Sequence, residues 1–121
     1  MIKENYVSFE IAKLLKEKGF DEPCLMCYNS DKKLDNYGHY NSYKNSDVFS
    51  LTAPTLQMAM KWLRETHNLF LSIQLHMDGS YVWYVYHTIH LTNKGADRET
   101  HSHSYEEACE AAIKYCLTNL I

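Results

Sequence analysis

The sequence predicts an α+β fold in which three helices pack on a small antiparallel sheet containing a central β-hairpin, all within one domain spanning residues 1–121. Three observations carry that prediction. Two blocks, 53–68 and 104–113, each read as a helix with its own start signal and apolar stripe. A third stripe follows Ser8 and ends at Gly19. Between the later two helices, Leu69–His76 alternates apolar and polar residues and runs into Asp78-Gly79, the pattern of a strand entering a tight hairpin.

Ser8 is a suitable N-cap, Val7 is placed to staple the first turn, and Phe9, Ile11, Ala12, Leu14 and Leu15 form one face. Gly19 supplies the left-handed residue that closes a helix from about Phe9 to Lys18, with Phe20 set for the accompanying apolar contact. Lys13, Lys16, Glu17 and Lys18 lie on the solvated side, with a Lys13–Glu17 pair. Pro23 interrupts the chain, and Cys24 to Tyr28 reads as a short strand. From Asn29 to Ser50 the aliphatic residues nearly vanish, which predicts a loop or an irregular edge hairpin.

Pro54 suits a first helical turn, and Leu56, Ala59, Met60, Leu63 and His67 recur at helical spacing, with Asn68 as a stop. Met58 and Trp62 widen that stripe beyond what one layer needs, so they mark either an interface with a second copy or a site covered by the polar segment. The hairpin has two readings. A two-residue Asp78-Gly79 turn sets the leucines opposite Val82, Tyr84 and Tyr86, whereas a three-residue Met77-Asp78-Gly79 turn sets them opposite Tyr81, Trp83 and Val85. The second is preferred, because it gathers Trp83, Val85 and Ile89 with the leucines on one buried face and leaves Tyr84, Tyr86, Thr88 and His90 outside. The second strand is expected over Tyr81 to about Leu91, followed by a polar turn at Thr92–Asp97 and a short strand before Ser104. Ser104-Tyr105-Glu106-Glu107 is a capping box for a last helix that buries Cys109, Ala112, Ile113, Cys116 and Leu120.

Composition narrows the function classes. With 45% hydrophobic and 22% charged residues the 121-residue chain is globular, and a formal charge of −3 gives no global attraction to polyanions. The start of the chain lacks a signal-peptide pattern and no run reaches membrane-span length, so a cytoplasmic protein is expected, with no membrane partner. In a reducing compartment, Cys109 and Cys116 are best read as small buried hydrophobes.

Chemistry-bearing motifs are weak. Cys24-x-x-Cys27 has half-site zinc spacing, but Leu25 and Met26 suit a strand rather than a knuckle, and alternation sends the two thiols to opposite faces; no metal is expected. Of the 7 histidines, His87 and His90 are expected on opposite sides of a strand, and His101 and His103 precede a helix start where cations are disfavoured. Cys24 or Cys27 with His39 has no supporting nucleophile motif, and Glu106 and Glu107 are explained by capping. No phosphate loop or nucleophile elbow is present, so neither catalytic residues nor a cofactor are expected.

The candidate binding surface is aromatic: Tyr84, Tyr86 and His90 on the outer sheet face, and Tyr37, Tyr40 and Tyr43 in the polar segment. Strand propensity and cross-strand pairing also account for tyrosines on a sheet. Base stacking would use the same rings, but the chain has only Arg64 and Arg98, which argues against nucleic acid.

The segments Lys18–Cys24, Ala53–Asn68, Trp83 and Ser104–Ala108 with the rest of the last helix resemble a family of small proteins from phages, prophages and mobile elements of gut Bacteroidetes. They cover roughly half the chain, in order; residues 29–50 lie outside the resemblance. The resemblance brings no activity, cofactor or site residue. The weak chemical motifs and the aromatic surface together predict a non-enzymatic interaction module acting on a host protein or on its own second copy; the resemblance adds only a phage or mobile-element origin and, with it, interference with a host process such as a defence pathway. The alternative is a protein that captures a small molecule, such as a nucleotide signal, between aromatic side chains.

Overall fold

In the computed structural model, residues 1–36, 42–47, 50–97 and 101–121 are described. They form an α+β chain with three helices and two antiparallel sheets, one of two strands and one of three. Two compact units partition the chain, Met1–Thr55 and Leu56–Ile121.

The first unit begins with α1 (Phe9–Glu17). The Ser8 hydroxyl accepts from the Ile11 amide at 3.3 Å, and the helix closes as expected from Gly19, whose φ is +94°. The Phe20 amide reaches back to the Leu15 carbonyl and the Gly19 amide to Lys16, the paired bonds of a Schellman ending. Strand β1 is only Cys27–Tyr28, paired with β2 at Leu34–Asp35. Cys24 lies outside β1 and forms its own antiparallel bridge to Tyr43, while Cys27 bridges Thr52. The chain bends at Leu25 between the two cysteines, so they do not share one continuous strand on which alternation could be read, and both thiols are buried.

Beyond β1 the first unit is held by side chains. Asn29 accepts from the amides of Asp31 and Lys33 through its Oδ1, shaping the turn into β2. Asn45, buried, donates from Nδ2 to the Phe20 carbonyl at 2.8 Å and accepts from the Thr52 amide at 2.9 Å. Pro54 lies two residues before a helix rather than in its first turn, and its carbonyl accepts from the Val7 amide at 3.0 Å.

The second unit runs α2 (Leu56–His67), β3 (Leu69–Leu75), β4 (Tyr81–His87), β5 (Asn93–Ala96) and α3 (Tyr105–Tyr115), continued by a π turn over Cys116–Leu120. Asn68, at φ +58°, reverses the chain directly from α2 into β3. The three-residue turn sets the hairpin register: Gly79 is left-handed at +86°, the His76 amide donates to Ser80, and Ile73 faces Trp83. Leu69, Leu71, Trp83 and Val85 are buried against α2 and α3, with Trp83 7% exposed.

The apolar row is shorter than expected. Leu75 is 65% exposed and Ile73 half-buried, because the hairpin outruns the helices covering it. Strand β4 ends at His87, not near Leu91, and a helical turn over Thr88–His90 puts Ile89 in solvent. The expected polar turn at 92–97 is instead strand β5 on the free edge of β4. Neighbouring backbone outweighs the poor strand propensity of Asn-Lys-Gly-Ala. Gly95 is required there: the Tyr115 ring lies against it, and a Cβ would sit 2.7 Å from Cζ. Near Ser104 the expected strand is reduced to one bridge, Tyr81 to Ser102. Ser104 caps α3 through the Glu107 amide at 3.1 Å, and Glu107 reaches back to the His103 amide. Leu117 rather than Leu120 completes the buried row of this helix.

Candidate binding surface

The register that buries Trp83 turns the alternate residues of the hairpin to the other face. Phe70 stands directly opposite Tyr86, and Ser72 opposite Tyr84. Tyr84 and Tyr86, two apart on β4, stack with ring centroids 6.4 Å apart and planes inclined by 27°. Both are half-buried, while Phe70 is 44% exposed. Three rings therefore form one patch, edged by Ser72 and Gln74. Alternation alone puts Phe70 on this face, but its place as the most exposed of the three rings depends on the register with β4.

His90 does not belong to this patch. Because β4 stops at His87, the following turn folds His90 back until its ring stacks on His87, centroids 4.6 Å apart. His87 Nδ1 accepts from the amides of Ile89 and His90, at 3.3 and 3.2 Å, so the ring caps the turn as a neutral imidazole carrying its proton on Nε2. Burial first, then the neighbouring His90 and Lys94, hold its pKa below the ordinary value.

Tyr43 is half-buried in the first unit, its backbone exchanging hydrogen bonds with Cys24. Tyr37 and Tyr40 lie outside the described residues. Trp62 is 8% exposed and meets His67 edge-on at 4.8 Å, so the chain itself covers this ring. Met58, 37% exposed, is the surface member of the suggested interface pair.

Sequence reasoning missed one polar cluster at the hairpin tip. The Ser80 hydroxyl donates to Asp78 Oδ1 at 2.6 Å and lies 2.9 Å from His101 Nδ1, whose ring meets His76 at 5.1 Å. The order Asp–Ser–His differs from a catalytic triad, because the hydroxyl proton is committed to the carboxylate rather than to the imidazole. These bonds pull the Asp78 carboxyl below its usual range, with the Ser80 hydroxyl the largest cause. The arrangement ties the turn to the segment that pairs with Tyr81.

Burial pushes the Cys24 thiol up to about 11, Cys109 to about 11 and Cys116 to about 12, and raises Cys27 as well. Near neutral pH these thiols are protonated and weakly nucleophilic. Among the described residues no three His, Cys, Asp or Glu side chains converge as a metal-binding group. No described helix is long and apolar enough to cross a membrane. No family model, curated protein or solved structure matches this chain.

Proposed function

We propose that the chain is a non-enzymatic interaction module that recognises a protein partner through the sheet face formed by Phe70, Tyr84 and Tyr86. The observation that carries this reading is the exposed Phe70 ring set opposite Tyr86 and beside the stacked Tyr84–Tyr86 pair. Rings already held by a sheet lose little freedom on binding; Phe70 offers exposed apolar area, and the two tyrosines add a hydroxyl at the tip and belong to a residue type over-represented among those that dominate binding energy. The partner in this proposal is a host protein, with a component of a defence pathway as the elaboration.

The test compares variants rather than captured proteins alone. Phe70→Ala and Tyr86→Ala should each abolish enrichment of the same host protein from lysate while leaving the far-ultraviolet circular dichroism spectrum intact. Met77→Ala, at the far tip of the hairpin and fully exposed, should leave enrichment unchanged. Equal capture by the wild-type chain and all three variants would defeat the proposal.

A further inference from the structure

Strand β3 is the outer strand of its sheet, and hydrogen-bond parity shows what its free edge presents. The His76 amide donates to Ser80, and the Asn68 carbonyl accepts from Thr88, so the even-numbered residues of β3 are those bonded to β4. The other strand agrees: Tyr81 exchanges both of its bonds with Ser102, and the Trp83 carbonyl accepts from Asp97, both directed away from β3. The amides and carbonyls of Leu71, Ile73 and Leu75 therefore point outward from the sheet. Among the described residues none of them has a backbone or side-chain partner on that side.

Natural edges of this length are usually blunted by a charge, a proline or a bulge. Leu69–Leu75 has none of these: it is seven residues of Leu, Phe, Ser, Ile and Gln, paired in unbroken register. The same outward residues carry the two apolar side chains that the helices leave uncovered, Ile73 and Leu75.

We propose that this edge pairs with β3 of a second copy of the chain, antiparallel about a twofold axis at Ile73, giving a continuous sheet with three strands from each copy. A second copy fits because the edge is its own complement. With Ile73 facing Ile73, Leu71 faces the second copy's Leu75, every outward amide meets a carbonyl, and each exposed Leu75 gains a buried leucine as its neighbour. The pairing also sets the two Phe70 faces side by side, which extends the proposed binding surface without depending on it.

Sedimentation equilibrium across a concentration series, with amide exchange measured at Leu71, Ile73 and Leu75, tests this. The wild-type chain should dimerise, and those three amides should slow as the dimer fills. Leu75→Lys, at a site exposed enough to leave each copy folded, should weaken the dimer by about tenfold by placing a charge on each side of the axis. Three results would overturn the proposal: a chain monomeric at every concentration; slow exchange of the three amides in the monomer, meaning that the chain covers its own edge; or a dimer untouched by Leu75→Lys and split by Met58→Glu.

Discussion

At the scale of single residues, Gly95 is a position where a side chain collides with its neighbour. Its lack of a side chain lets Tyr115 lie against β5, donate to the Lys94 carbonyl at 3.2 Å and meet the Trp83 ring at 5.1 Å. Gly95→Ala forces that ring out of place, and overpacking of this kind costs about 1–3 kcal/mol. Thermal melting should show the loss, and the same substitution in a Tyr115→Ala background should cost much less, since the collision is then gone. Leu91 presents the opposite case. It holds a left-handed φ of +55° while 83% exposed, so it contributes strain and almost no burial. Replacement by glycine removes a penalty of roughly 1–2 kcal/mol at the cost of some chain entropy. Leu91→Gly should therefore raise the melting temperature, and a fall would show that the side chain has a contact beyond those described.

At the scale of elements, the ends determine which segments hold. Ser104→Ala removes the oxygen that accepts from the Glu107 amide and should destabilise α3 by about 1 kcal/mol, read as a shift in denaturation midpoint. The turn after β4 depends instead on protonation. His87 is held neutral, with a folded pKa below the ordinary 6.5, so the unfolded chain binds a proton more readily than the folded one. Stability from this group is complete above 6.5 and is lost as pH falls from there through the lower folded value. Asp78 acts in the same sense further down, its contribution vanishing as pH falls below the ordinary carboxylate range. A proton-resonance titration of His87 should give a midpoint below 6.5; a midpoint above it would refute the capping role. These ends also mark how much of the fold is legible in the chain. Ser8, Gly19, Ser104 and Gly79 act through bonds to residues only a few positions away, so the caps and the hairpin register can be read directly. Strand β5 cannot, because Asn-Lys-Gly-Ala pairs only where β4 already offers an edge. The extent of β4 is obscured for a related reason: Ile89 and Leu91 continue the apolar pattern, yet His87 turns the backbone before them.

Over the whole molecule, the two units are legible to different degrees. Residues 56–121 follow periodicity, and both the Trp83 core and the Phe70–Tyr84–Tyr86 face come from one register. The described residues of 1–55 contain one helix and two strands of two residues each, and much of their order comes from amide side chains that have no period to detect. Asn45 is the central example, joining Phe20, 25 residues away, to Thr52, seven away. Asn45→Ala leaves a carbonyl and an amide unpaired in a buried place, a cost of about 1–3 kcal/mol for each group. The position of Asn45 also has a kinetic consequence. Its amide meets both partners only once the chain has closed two loops, so the bonds are expected to form after the folding transition state rather than within it. Stopped-flow measurement on Asn45→Ala should then find refolding nearly as fast as wild type and unfolding accelerated by almost the whole equilibrium loss. This asparagine would act as a latch: it slows the escape of residues 1–55 from the native state without guiding their entry.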